Sequence, residues 1–199
     1  MSLELRIAII EAGFVGNSLL PRQHLHHEDA HIRSSSLRAL YRLNELLSHE
    51  LAEALTDPDA DVRRTAVECS PSFTDVHIHQ LLDDGDVFVA EMTAWALGER
   101  TEVTDIELQA LITHTTTHSE AVVREACAAA LGSLGDERGL PAILAACSDK
   151  PAVRRRAVLA LAPFEGEEVD IALKNALEDR DWQVRQNAEI LVNPRDLHA

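Results

Sequence analysis

The stretch HLHHEDAHIR, His24 to Arg33, places four histidines and two acidic residues within ten positions. Imidazole and carboxylate groups are common metal ligands, so this stretch is the first candidate for chemistry. A metal site needs three or four ligands that converge on one point. The same spacing recurs later in the chain with other polar residues in place of the histidines. We therefore interpret the stretch as a solvated turn and predict no metal site.

Two other histidine pairs are candidate ligand sets. HTTTH, His114 to His118, has the i, i+4 spacing of a helical metal pair but lacks the glutamate of the zinc-protease motif. It falls where a helix is expected to end, so we predict a threonine-rich loop. HIH, His77 to His79, would direct its two rings to different sides of a helix. No nucleophile–histidine arrangement or glycine-rich phosphate loop is readable, so we predict neither catalytic residues nor a cofactor.

Composition limits the class of protein. The 199 residues are 46% hydrophobic but only 4% aromatic, and alanine and leucine dominate, which favours closely packed helices. The net charge of −16 would repel phosphate backbones, so we predict no nucleic-acid partner. The three cysteines form no CxxC pair, which indicates a reducing compartment. We see neither a signal peptide nor a membrane-spanning run, and expect a cytoplasmic protein without membrane association.

The helices that position these side chains follow from an internal repeat of about 30 residues. Six segments align on an apolar residue, here called the anchor, which arginine follows in five of them. The segments are EDAHIRSSSLRAL, PDADVRRTAVECS, GDVFVAEMTAWAL, SEAVVREACAAAL, DKPAVRRRAVLAL and RDWQVRQNAEILV. Their anchors are Ile32, Val62, Val89, Val123, Val153 and Val184.

Each column of this alignment predicts a structural role. Three residues before the anchor, four of six repeats have aspartate, which is a preferred helix N-cap. Lys150 breaks that column, and Ser148 or Asp149 could cap in its place. Four and eight residues after the anchor, small and apolar residues predict one buried stripe. The second helices should end at breakers: Gly98, Gly132 or Gly135, Pro163 and Pro194.

We therefore predict an all-α fold, a right-handed α-solenoid (α-α superhelix) of about six two-helix repeats with an extra N-terminal helix in LELRIAIIEAG. The chain is expected to form one domain, 1–199. The approximate repeats are 17–43, 44–70, 74–98, 105–134, 139–163 and 167–193.

The segment LAEALTDPDADVRRTAVE resembles the HEAT-like repeat of the phycobilin-lyase type, with its D-P-x-x-x-V-R-x-x-A core. ALGSLGDERGLPAILAACSD looks like the segment that links such repeats, and the resemblance covers about residues 17 to 193. It implies that the turn aspartate and the arginine after the anchor form a hydrogen-bonded ladder between repeats. The residues concerned are Asp29, Arg33, Asp59, Arg63, Asp86, Arg124, Arg154, Asp181 and Arg185. In the third repeat, Ala90 replaces the arginine.

Family members serve as protein-binding scaffolds, chromophore-lyase subunits, di-iron deoxyhypusine hydroxylases and, in diverged form, DNA glycosylases. The resemblance implies that the hydroxylase type needs histidine–glutamate pairs on the second helices. His27–Glu28 and His49–Glu50 fall outside them. A chromophore-lyase-like subunit stays open as an alternative. Trp95 and Glu91, one helical turn apart, only faintly resemble a glycosylase site, and the net charge of −16 argues against it.

We predict a non-catalytic scaffold that binds another protein on a concave face formed by the second helices. The candidate contact residues are Arg38, Tyr41, Glu68, Glu91, Trp95, Arg155 and Arg156. An exposed Trp95 would suit a partner-binding anchor, although it could instead pack against the next repeat. We expect Trp182 to pack at a turn. We expect a monomer or a weak dimer.

Overall fold

The computed structural model describes residues 2–192, which form helices joined by short turns without any strand in that range. The predicted end of the sixth repeat, residue 193, and Pro194 lie outside the described residues. The helices are α1 (Ser2–Val15), α2 (Leu19–Gln23), α3 (Ala30–Arg42), α4 (Ser48–Ala54), α5 (Ala60–Cys69), α6 (Val87–Gly98), α7 (Asp105–Thr117), α8 (Ala121–Leu134), α9 (Leu140–Ala146), α10 (Pro151–Ala160), α11 (Glu167–Leu177) and α12 (Trp182–Val192).

The helices follow the predicted repeats, each of which contributes a first and a second helix. In the third repeat the first helix is reduced to a 3-10 turn, His79–Asp83. A second 3-10 turn, Glu137–Gly139, precedes α9. The predicted all-α fold and the extra N-terminal helix, α1, are confirmed.

The chain divides into two compact units, Met1–Ala96 and Leu97–Ala199. In the first unit α3 packs against both α1 and α5. In the second unit α8 packs against α7 and α10, and α10 packs against α12. Within each unit the second helices of successive repeats therefore stack on one another, which is the packing of an α-solenoid.

The predicted apolar stripe forms the core. All six anchors are buried, and so are all six residues four positions later, which are Ser36, Ala66, Thr93, Cys127, Ala157 and Ala188. Small side chains here let neighbouring helices approach closely. Eight positions after the anchor, five of the six residues are buried, but Val192 is exposed. The prediction for Val192 is wrong, because 44% of this side chain is exposed at the end of α12.

Aspartate caps start the second helices as predicted. The carboxylates of Asp29, Asp59, Asp86 and Asp181 each accept a hydrogen bond from the backbone N–H two residues later. These bonds satisfy N–H groups that have no partner within the helix. Lys150 starts α10 without a side-chain cap, and Pro151 occupies the first turn. Neither Ser148 nor Asp149 caps α10, since the N-cap is Lys150 itself.

The predicted loop at HTTTH is wrong, because α7 continues through Thr117. The helix starts in a capping box in which Thr104 and Glu107 exchange hydrogen bonds with each other's backbone N–H groups. The Thr115 hydroxyl donates to the Leu111 carbonyl, and that of Thr117 donates to Thr113. Threonine hydroxyls can bond within the helix in this way, so a threonine run does not end it.

Glycine allows the closest helix contacts in the second unit. A Cβ added at Gly132 would lie 2.6 Å from the Ala160 Cα, and one at Gly98 would lie 2.8 Å from the Ala130 Cα. Gly132 is therefore a packing residue. Gly135, with φ of 63°, is the residue that ends α8, which decides between the two predicted breakers.

The substitution Gly132→Ala should lower the free energy of unfolding by about 1–3 kcal/mol, because the added methyl group overpacks the contact between α8 and α10. Gly85→Ala is the matched control, since an added Cβ there meets nothing within 4 Å. Urea denaturation followed by circular dichroism measures both. Equal midpoints for the two variants would contradict this account of the contact.

Candidate functional site

Four arginines link successive repeats through two parallel hydrogen bonds each, an arrangement we term the Arg–Asp interlock. Both bonds in each pair are 2.6 to 2.8 Å long. All eight side chains are largely shielded from solvent. The pairs are Arg33–Asp57, Arg63–Asp84, Arg124–Asp149 and Arg154–Asp179.

Each interlock arginine also closes the turn of its own repeat. Arg63 Nη1 donates to the Asp57 carbonyl at 2.9 Å, and Arg154 Nη1 donates to the Asp149 carbonyl at 2.8 Å. In the last described repeat, Arg185 donates to the Asp179 carbonyl at 2.6 Å. One guanidinium therefore fastens its own turn and the turn of the following repeat.

The aspartates of the interlock are not those predicted for the ladder. Asp29, Asp59 and Asp86 cap helices, whereas three of the interlock carboxylates stand five residues before the anchor, a position we term the turn slot. In the fifth repeat Ser148 fills that slot, and Asp149 provides the carboxylate. The interlock carboxylate faces the arginine of the preceding repeat, whereas the N-cap carboxylate is directed at the backbone of its own helix. The aspartate that recurs five residues before the anchor could have identified the interlock carboxylates from the sequence.

In two of the turn slots histidine replaces aspartate and accepts the same backbone hydrogen bond. The Asp57 and Asp84 carboxylates each accept the backbone N–H two residues later, at 2.9 and 2.8 Å. The Nδ1 atoms of His27 and His118 accept the equivalent N–H groups, both at 3.0 Å. The six-repeat alignment starts with the repeat that contains His27, and Ala90 replaces the arginine in the repeat before His118. Histidine thus occupies the slot where the alignment provides no arginine to pair with.

The interlock lowers the pKa of its carboxyl groups. Hydrogen bonds from Arg63, Arg124 and Arg154 place the pKa values of Asp84, Asp149 and Asp179 below the ordinary value. Burial raises the pKa of Asp57, but the bonds from Arg33 and the Asp59 N–H outweigh it, so this pKa is also lowered. All four are thus carboxylates at neutral pH.

A buried ion pair between Arg100, in the segment ERTEVTD, and Glu107, two residues after it, was missed by the sequence reasoning. Arg100 Nη1 lies 2.7 Å from Glu107 Oε1, with side chains only 1% and 2% exposed. Glu107 also accepts the Thr104 N–H, which positions it at the start of α7. Thr104 and Glu107 have the spacing T-x-x-E of a capping box, which could have indicated from the sequence where Glu107 lies.

The surface predicted to bind a partner is accessible in the first unit. Arg38 and Glu68 stand six residues after their anchors on α3 and α5 and form an exposed ion pair at 2.7 Å. Trp95 holds the same position on α6 and is 44% exposed. Tyr41 is exposed, and Glu91, one turn before Trp95, is half-buried. We term Arg38, Tyr41, Glu68, Glu91 and Trp95 the α3–α6 face.

In the second unit one predicted contact residue is engaged within the fold. Arg155 donates to both carboxylate oxygens of Asp181 in the next repeat, at 3.0 and 2.5 Å. This contact lowers the pKa of Asp181 to about 2. Arg155 therefore links repeats, and its assignment to a partner-binding face stays a prediction. Arg156 is exposed and lies 3.7 Å from Glu125. Trp182 is 61% exposed, so the prediction that it packs at a turn is wrong.

Other candidates for chemistry are weak in the part of the chain that the structure describes. Cys69 and Cys127 are buried as predicted, and burial raises the pKa of each thiol to about 12. No three His, Cys, Asp or Glu side chains between residues 2 and 192 are grouped to hold a metal ion. Over the same residues, none of the helices has both the length and the apolar character needed to span a membrane.

Residues 108–192 match the family model for HEAT repeats. The fold belongs to the α-solenoid class. A designed armadillo repeat protein, solved in complex with the peptide (KR)4, is 18% identical with a TM-score of 0.62, and the match covers 88% of this chain and 98% of that chain. At such identity the likeness concerns the fold alone. A comparison with curated proteins found no match.

Two other solved structures share the fold. An engineered protein is 18% identical with a TM-score of 0.61, over 89% of this chain, which spans 57% of that protein's length. Human deoxyhypusine hydroxylase, solved with glycerol, is 17% identical with a TM-score of 0.50, over 100% of this chain and 81% of that one.

Removing one member of the interlock should cost much more stability than removing an exposed ion pair. Arg63→Ala leaves the shielded Asp84 carboxylate unpaired, so we expect a loss of about 2–4 kcal/mol in the free energy of unfolding. Arg38→Ala removes the exposed pair and should cost less than about 1 kcal/mol. Urea denaturation of both variants tests this, and similar losses would contradict a structural role for the interlock.

Acid should weaken the fold through the same carboxylates. Their folded-state pKa values lie below the unfolded value of about 3.9, so their stabilisation is complete above that pH. It should fall as the pH drops from about 4 through the lower folded values. The urea midpoint of the wild-type chain should therefore decline below pH 4, and decline less in Arg63→Ala. An equal decline in both would show that the Arg63–Asp84 pair does not contribute to the loss of stability in acid.

Proposed function

We propose that this protein is a non-catalytic scaffold that binds another protein on the exposed face of its second helices. The observation that carries the proposal is the contrast between two columns of the repeat. Four residues after the anchor every side chain is buried, whereas six residues after it every side chain is exposed or half-buried. The array thus presents one chemically variable position per repeat on a constant framework.

Trp95 is the strongest single contact in this proposal. A tryptophan that is nearly half exposed beside polar side chains combines a large apolar surface with an indole N–H donor. Such residues are enriched among those that dominate binding energy. The exposed Arg38–Glu68 pair occupies the same column of the repeat and can exchange its partners at low cost.

The kind of partner follows from charge. With a net charge of −16, the chain favours partners that carry basic residues, through long-range attraction that salt weakens. The designed armadillo repeat protein of the same fold was solved with a peptide of lysine and arginine, (KR)4. We propose a basic segment of another protein as the bound element.

The proposal also accounts for the motif that resembles the phycobilin-lyase type. The Asp and Arg of that motif are engaged in helix caps and in the interlock, so they are not available to hold a chromophore. A chromophore-lyase-like subunit and a DNA glycosylase gain no comparable support from the exposed residues. We therefore favour the scaffold.

Trp95→Ala should reduce capture of the partner from lysate by about tenfold or more, because it removes an anchor side chain. Trp182→Ala is the matched control, since Trp182 is also exposed but lies on the first turn of α12. Quantitative mass spectrometry of the proteins retained by each immobilised variant provides the measurement. A partner retained equally by wild type, Trp95→Ala and Trp182→Ala would overturn the assignment of the α3–α6 face.

A further inference from the structure

The first helix presents an apolar stripe to solvent. Leu3 and Phe14 are 67% and 70% exposed, and Ile7 and Ile10 lie between them with exposures of 47% and 38%. We term these four residues the α1 stripe. Their spacing of four, three and four residues places them along one side of the helix. The opposite side of α1 is already used, because Ile9 is buried in a cluster with Ile32 and Ala39 of α3.

The exposed apolar surface extends beyond the α1 stripe. Val15 at the end of α1 is 77% exposed, and Leu19 at the start of α2 is 66% exposed. Clusters of exposed apolar side chains often mark association sites on soluble proteins.

We propose that the α1 stripe is the contact through which two copies of this chain form a parallel helix pair. The stripe has the spacing of a coiled-coil seam, in which Leu3 and Ile10 occupy d positions and Ile7 and Phe14 occupy a positions. Two such helices bury their seams against each other by inserting each side chain between those of the other copy.

Charge selects the parallel orientation. Arg6 precedes Ile7 and Glu11 follows Ile10, so they flank the stripe on opposite sides, at g and e positions. In a parallel pair the g residue of one helix lies beside the e residue of the other, five positions later. Arg6 of each copy then pairs with Glu11 of the other. In an antiparallel pair each flank meets its own counterpart, which would set Glu4 and Glu11 against the same two acids.

Contacts with α3 hold two side chains at this surface, Arg6 and Phe14. Arg6 Nε donates to Ser35 Oγ of α3 at 3.2 Å, which keeps its guanidinium at the edge of the stripe. The Arg42 guanidinium stacks 4.2 Å from the centre of the Phe14 ring and supports one face of it. Two heptads give a small interface, so we expect a dissociation constant on the order of micromolar rather than an obligate dimer.

Sedimentation of the full chain tests the proposal. Between 1 and 200 μM the mass should rise from 21.9 kDa towards twice that value. Ile7→Glu should raise the dissociation constant more than tenfold while the circular dichroism spectrum stays unchanged. Ile171→Glu on α11 is the matched control, since that isoleucine is 50% exposed, and it should dimerise like the wild type. A wild-type chain that stays monomeric at every concentration, or a dimer insensitive to Ile7→Glu, would overturn the proposal.

A charge-exchange experiment tests the orientation. Arg6→Glu sets two acids against each other across the parallel pair, and Glu11→Arg sets two bases against each other, so each variant alone should dimerise at least about tenfold more weakly. Mixing the two variants restores both attractive pairs, so a heterodimer should form at wild-type affinity. If the single variants dimerise as well as the wild type, the parallel register is wrong.

Discussion

The structure of each unit depends on the two parallel hydrogen bonds between an arginine and the aspartate in the turn of the next repeat. Stacked second helices share a contact surface in which the small residues four positions after the anchors are buried. The Arg–Asp interlock gives that surface one fixed register per repeat. Its geometry is the bidentate form in which a guanidinium recognises a carboxylate most strongly. Desolvation offsets much of the attraction, so the interlock contributes alignment as much as net stability.

The turn slot shows how one position can combine a local and a long-range role. An aspartate there accepts both the N–H of its own turn and the guanidinium of the preceding repeat. Where no arginine precedes the slot in the alignment, as at His27 and His118, an aspartate would leave a shielded negative charge without its partner. A neutral imidazole still accepts the turn N–H without adding that charge. Among the histidines that look like ligands, His27 and His118 are thus explained by turn geometry.

Many charged side chains of the second helices are engaged within the fold, so fewer of them are available on the proposed binding surface. Most of the arginines that follow an anchor pair with an aspartate in the interlock, and Arg155 pairs with Asp181. What stays available is a sparse set of exposed side chains on the second helices, of which Trp95 and Trp182 are the largest. The proposed binding of a partner segment would use these exposed side chains as its contacts.

Periodicity alone determined most of the fold. The anchors, the small residues four positions later and the aspartate caps could all be predicted, because each depends on contacts within one helix or one turn. The identity of the interlock carboxylates could not, since the choice between Asp57 and Asp59 depends on which of them faces the preceding repeat. Likewise only the packed structure showed that Gly132 is needed for a close contact, that Arg155 is engaged, and that α1 has an uncovered apolar side. These features depend on the relative placement of neighbouring helices, which sequence spacing within one helix does not encode.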